Sequence, residues 1–141
     1  MPGQNYFDIP AINPDELSPA VWAYIGDAVY ELFIRCHLLA GGPAKTKTLH
    51  HEAISMVRAS FQANLAGRIE PFLTEAEVEV LKRGRNVKSG HIPPGTDVLT
   101  YRHSTAFEAL IGYLYLSGQQ ARLTQLLKEA VKLNEVKERS N

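Results

Sequence analysis

The sequence predicts a single all-α domain, and three observations carry that prediction. Apolar residues recur at three- and four-residue spacings through most of the chain. Helix start and stop signals bracket those stretches. No alternating apolar and polar run is joined by a hairpin turn, which would argue for strands. At 141 residues, 45% hydrophobic and 21% charged, the chain is large enough for one hydrophobic core. It holds no internal repeat, low-complexity tract or inter-domain linker. The domain is expected to fill residues 1–141, with frayed ends at about 1–14 and 135–141.

Each helix has its own justification. Ser18-Pro19 is a start signal, a capping hydroxyl followed by proline at the first helical position. Val21, Ile25, Ala28, Val29, Leu32, Cys36 and Leu39 then repeat at helical spacing until Gly41-Gly42-Pro43 stops the helix. Cys36, the only cysteine, is expected to be a small buried hydrophobe. A second helix is expected from about Lys45 to Ala66, burying Leu49, Ala53, Ile54, Val57, Phe61 and Leu65, with Gly67 as its terminal glycine. Thr74-Glu75-Ala76-Glu77 matches a capping box and opens a third helix. An irregular stretch follows from Gly84 to Asp97. A fourth helix runs from near Val98 to Ser117-Gly118, and a fifth carries Leu123, Leu126, Leu127, Ala130, Val131 and Leu133.

Composition narrows the function. Formal net charge is +0, so nucleic-acid contact must come from a local patch rather than an overall field. One cysteine excludes an intrachain disulfide and a thiolate zinc cluster. His50-His51-Glu52 lacks the spacing that puts two histidines on one helical face. The N-terminus has no secretory pattern and no apolar run reaches membrane-spanning length. A cytoplasmic protein with no membrane partner is expected.

Two acidic positions stand out. Asp27 and Glu108 each place a carboxylate in a helical, otherwise apolar stretch next to a glycine, Tyr24-Ile25-Gly26-Asp27-Ala28-Val29 and Phe107-Glu108-Ala109-Leu110-Ile111-Gly112. A carboxylate there is costly without compensation. Gly26 costs its helix about 1 kcal/mol relative to alanine, which close approach of another backbone would offset. Two helices with small-residue stripes could therefore bring Asp27 and Glu108 together, and a Mg²⁺ ion would suit paired carboxylates and phosphate oxygens. A solvated Asp27 and a Glu31–Arg35 pair one turn apart are the plain alternative. Lys82 to His91 is the one concentrated basic segment. Arg83, Arg85, Asn86, Lys88 and Ser89 could follow a phosphate backbone there, although cations at a helix end also complement its dipole.

These motifs resemble the ribonuclease III catalytic domain. Ile25-Gly26-Asp27-Ala28-Val29 is similar to its signature helix and Phe107-Glu108-Ala109-Leu110-Ile111-Gly112 to its second acidic motif. Arg83-Gly84-Arg85-Asn86 and Tyr101-Arg102-His103-Ser104 bring the resemblance closest to the short bacterial branch, Mini-ribonuclease III. The resemblance implies a metal-dependent endonuclease on double-stranded RNA, acting as a homodimer and leaving 5′-phosphate and 3′-hydroxyl ends. Asp27 and Glu108 fall on metal-binding carboxylates, with Mg²⁺ as cofactor and Mn²⁺ as a substitute. Tyr24 falls where an aromatic enters the partner subunit. Larger members carry two further acids, where this chain has Ala23 and Thr105; Glu31 is the nearest spare carboxylate. No room is expected for the C-terminal double-stranded-RNA-binding domain of larger members. The Mini branch implies maturation of 23S ribosomal RNA precursor ends with help from a large-subunit ribosomal protein. The rival expectation is a non-catalytic, ribosome-associated RNA-binding protein that kept the fold.

Overall fold

A computed structural model describes residue 7 and residues 9–42, 45–88 and 91–140, with side chains through residue 132. Six helices appear: α1 (Pro19–Ala40), α2 (Thr46–Met56), α3 (Ala59–Ile69), α4 (Glu75–Arg85), α5 (Val98–Leu116) and α6 (Gln120–Ser140). Short 3₁₀ turns precede α1 and follow α3. There is no strand among the described residues, as the all-α prediction requires.

Local chemistry sets most boundaries. The Ser18 hydroxyl accepts from the Val21 amide and opens α1. At α4, the Glu77 amide donates to Thr74 Oγ1 at 3.2 Å and the Thr74 amide to Glu77 Oε1 at 2.9 Å, the reciprocal pair of a capping box. Asp97 caps α5 by accepting from the Thr100 amide at 2.8 Å.

Helix α5 is the spine. Ala106, Phe107, Ala109, Leu110, Ile111 and Leu114 are all buried, and α1, α3, α4 and α6 pack around them. The closest packing is α1 on α5. A Cβ on Gly26 would overlap the Glu108 carbonyl oxygen and stand 2.8 Å from the Gly112 nitrogen, while a Cβ on Gly112 would overlap the Trp22 carbonyl oxygen. Two backbones in contact gain dispersion along the whole crossing, which offsets the helix penalty of both glycines. Trp22, Tyr30 and Ile34 close the core beside this crossing. Tyr30 meets Phe107 edge-on at 5.2 Å.

Three expectations are corrected here. First, α1 buries Trp22, Ala23, Gly26, Tyr30 and Ile34, whereas Val21, Leu32 and Leu39 are exposed, at 39%, 59% and 60%, and Cys36 is exposed. The helix has two apolar faces, and spacing does not say which one the core takes. Second, the segment 45–66 is not one helix. Tyr30 Oη donates to the Met56 carbonyl at 2.8 Å, an acceptor that a continuous helix would give to the Ser60 amide. Arg58 is extended and α3 starts afresh at Ala59. Helix α3 then continues past Gly67, and Ile54 is exposed. Third, Gly84 is helical, not the start of an irregular stretch. A Cβ there would lie 2.6 Å from the Ala109 Cβ, so glycine lets the end of α4 close onto α5.

Candidate metal and nucleic-acid site

The α1–α5 crossing also builds the site. Gly26 lies on the backbone of Glu108, so the next residue, Asp27, leaves α1 beside the Glu108 side chain. The two carboxyl groups share one recess and are close enough to act on each other. Glu108 is partly buried and Asp27 exposed. Burial first, and then the neighbouring Asp27 carboxyl, pushes the Glu108 carboxyl up to about 9. Burial also raises the Tyr30 hydroxyl, with the Glu108 charge adding to it.

Both carboxylates open into a recess of about 280 Å³. Ala20, Ala23 and Tyr24 line it from α1, Tyr101 and Thr105 from α5, and Val87 and Lys88 from the segment after α4. The two positions where larger family members were expected to carry acids, Ala23 and Thr105, are therefore walls of this recess. Ala23 leaves space, and the Thr105 hydroxyl is turned back to the Tyr101 carbonyl at 3.0 Å.

Two crowded carboxyls, one held protonated by the other and by burial, form a donor set that a divalent cation fits, because it supplies the missing positive charge. Asp27 and Glu108 would hold it, leaving its other positions to water and phosphate oxygens, which Mg²⁺ accepts readily. No cluster of three or more potential metal-ligating His, Cys, Asp or Glu side chains occurs among the described residues. Glu31 is not brought into the recess; its Oε1 is paired with Arg35 Nη2 at 2.7 Å on the surface.

The basic segment is divided rather than gathered in one loop. Lys82, Arg83 and Arg85 belong to the last turn of α4, where they complement its dipole. Arg83 lies with its guanidinium carbon 5.0 Å from the Trp22 ring centroid. Lys82 and Arg85 line a second recess of about 150 Å³ with Glu70 and His103. On α5, His103 points away from the face shared by Tyr101, Thr105 and Glu108, so it is not beside Glu108. Asn86 is the C-terminal cap of α4. Only Lys88 of these cations lines the carboxylate recess, and Ser89 lies outside the described residues.

Tyr24 stands at the rim, 77% exposed. With Val21, Ala28 and Leu32 it continues an uncovered apolar stripe along α1. The sequence reading missed Gln62 and Ser104. Gln62 is 2% exposed, accepts from Ser104 Oγ at 2.7 Å, and lies close enough to Glu108 to oppose the upward push on its carboxyl. A signal was present: Gln62 falls in register with Leu65, Ala66 and Ile69, the buried face of α3, and a polar residue in an apolar register needs partners.

Residues 20–119 match the ribonuclease III domain. The chain is 47% identical over 118 residues to the Mini-ribonuclease 3 of Brevibacillus brevis, covering 84% of this chain and 88% of that protein. It is 46% identical to the Mini-ribonuclease 3 of Symbiobacterium thermophilum, covering 84% and 91%. A crystal structure of a Fusobacterium nucleatum protein superposes with a TM-score of 0.77 at 28% identity, over 88% of this chain and 99% of that one. A domain match of this extent, with relatives this similar along nearly their whole length, places the chain in the ribonuclease III family.

Proposed function

We propose that this protein is a Mg²⁺-dependent endoribonuclease that hydrolyses phosphodiesters in double-stranded RNA. The observation that carries the reading is the meeting of Asp27 and Glu108 in one open recess at the α1–α5 crossing. Asp27 and Glu108 would hold the cation. Bound there, Mg²⁺, or Mn²⁺ in its place, makes water a better nucleophile and neutralises charge on the phosphate. The chain's own groups do the rest. Lys88 at the recess edge attracts the phosphate backbone, and Arg83, Arg85, Asn86 and Ser89 extend a sequence-independent contact along it. Ala23 and Thr105 leave room for water where carboxylates would crowd the cation.

The working form is a homodimer. The uncovered stripe of Val21, Tyr24, Ala28 and Leu32 supports this, since apolar side chains at helical spacing suit pairing with a second copy. Similarity to the Mini branch supports 23S ribosomal RNA precursor ends as the substrate, a large-subunit ribosomal protein as helper and a cytoplasmic location. No helix among the described residues is long and apolar enough to cross a membrane.

The test is cleavage of a perfect RNA duplex. Cutting should require Mg²⁺, stop with chelator, and leave 5′-phosphate ends. A second reading, a ribosome-associated RNA-binding protein without catalysis, draws on Ala23 and Thr105. It predicts duplex binding with no cut at any Mg²⁺ or Mn²⁺ concentration.

A further inference from the structure

We propose that Gln62 is the positioning residue for Glu108: its side-chain amide, locked by Ser104, holds the Glu108 carboxylate in the orientation that receives the divalent cation. This rests on the endonuclease reading above and deepens it.

The contacts are specific. Gln62 is the most deeply buried polar side chain described, at 2% exposure, and it comes from α3, a helix that contributes nothing to the recess walls. Leu65, Ala66 and Ile69, in the same register, are 0%, 2% and 0% exposed and fix α3 against α5. An amide has two ends, and both are used. Ser104 Oγ, itself 5% exposed on α5, donates to Gln62 Oε1 at 2.7 Å. That assignment leaves the amide nitrogen for the Glu108 side, one turn along α5 from Ser104, where Gln62 favours the charged carboxylate against burial. Ser104 and Glu108 are four residues apart on one helix, so Gln62 bridges one turn of α5 from the outside. No buried side-chain nitrogen or oxygen among the described residues lacks a partner.

Other groups near Glu108 do not supply this. The Tyr30 hydroxyl, which feels the Glu108 charge, donates its hydrogen bond to the Met56 carbonyl at 2.8 Å instead. Asp27 contributes a second acidic group rather than a neutral donor. Gln62 is thus a neutral donor behind a carboxylate that must face outward. Neutrality matters, because a lysine or arginine in that position would pair with Glu108 and repel a divalent cation. Hydrogen bonds to a ligating carboxylate from behind set its orientation and often carry tenfold to hundredfold effects on metal affinity or activity.

The experiment compares the wild-type chain with Gln62→Met, which keeps the length and removes both ends of the amide, and with Ser104→Ala, which unlocks the amide and leaves it in place. Mg²⁺ alone is titrated into each by calorimetry, and kcat and KM are measured on duplex RNA, with Tm recorded in parallel. Gln62→Met should lower Mg²⁺ affinity and kcat about 10- to 100-fold with KM for RNA unchanged; Ser104→Ala should shift both the same way by a smaller factor. If both variants keep wild-type Mg²⁺ affinity and kcat per folded molecule, and only Tm falls, Gln62 is a structural core residue and the proposal is wrong. Should Gln62→Met not fold, Ser104→Ala decides alone by the same two readouts. If the wild-type chain binds Mg²⁺ but cuts no RNA, the endonuclease reading fails, and the Mg²⁺ titrations still decide the role of Gln62.

Discussion

Gly26 rests on the carbonyl oxygen of Glu108, and that contact between a residue with no side chain and a backbone oxygen is what sets the carboxyl of Asp27 against that of Glu108. Packing and chemistry are the same feature here. The helix penalty of Gly26 is accepted at the one place where α1 and α5 must touch, and the acids follow from it by one residue.

Gly26→Ala should therefore destabilise the fold strongly, on the order of 3 kcal/mol or more, because backbone rather than a flexible side chain must move. Helix propensity alone predicts the opposite sign, a gain of about 1 kcal/mol. Gly67→Ala is the control. It is also helical, in the last turn of α3, it is exposed, and nothing lies within 4 Å of the added Cβ, so it should stabilise by about 0.5–1 kcal/mol. Denaturant midpoints of the two variants check both signs.

The acidic pair makes the metal-free protein sensitive to pH. The Glu108 carboxyl is pushed from its ordinary 4.5 up to about 9 by burial and by Asp27. Between those values the unfolded chain gives up the proton while the folded chain keeps it. Stability is then full below about 4.5 and falls as pH rises toward about 9. Glu108→Gln removes the titrating group, so with chelator present it should flatten the profile and be more stable than wild type at pH 8, on the order of 2 kcal/mol. Melting curves against pH check this. Saturating Mg²⁺ should reverse the ranking, because only wild type gains binding energy.

In the first turn of α4 Glu77 has the opposite behaviour. Arg122 grips it through Nε at 2.8 Å and Nη2 at 2.7 Å and also reaches the Phe72 carbonyl at 2.8 Å. The Arg122 hydrogen bond holds the Glu77 carboxyl below the usual carboxylate range. Its stabilisation is present above that range and lost as pH falls through the lowered value. Arg122→Met should cost about 2 kcal/mol at pH 7, since Glu77 is left nearly buried without its partner. Thermal unfolding at pH 7 and pH 3 should show the cost shrinking in acid.

The exposed stripe of α1 gives a test of assembly. Tyr24→Asp places a charge in the middle of Val21, Ala28 and Leu32 without touching the core, since Tyr24 is 77% exposed. Sedimentation should show a dimer for wild type and a folded monomer for the variant. Unchanged mass would remove this stripe from the interface.

Much of the fold could be read from local signals. Ser18-Pro19, the Thr74–Glu77 capping box and the Asp97-to-Ser117 limits of α5 are short-range chemistry, and each stands where it was expected. The misread features depend on partners distant in sequence. Helix α1 has two apolar faces, and only the arrival of Gly112 selects the one with Trp22 and Gly26. The break after Met56 depends on a hydrogen bond from Tyr30, 26 residues away. Gly84 looked like a loop residue because its reason, Ala109, lies on another helix. The same limit applies to the site. Asp27 and Glu108 were legible as costly carboxylates beside glycines. Gln62 showed only as a polar residue in an apolar register, because its partner Ser104 lies 42 residues downstream. The cations looked like one patch in sequence, but the last turn of α4 sends Arg83 to Trp22 and Lys82 and Arg85 to a second recess, and only Lys88, beyond the helix, reaches the carboxylate recess.

The central claim, that Asp27 and Glu108 jointly hold the cation that cuts duplex RNA, is tested most directly by single-turnover cleavage with Asp27→Asn and Glu108→Gln in saturating Mg²⁺. Both variants should fold and bind duplex RNA while losing cleavage by at least about a thousandfold, roughly 4 kcal/mol in the barrier. Cleavage at the wild-type rate by either variant would contradict the claim.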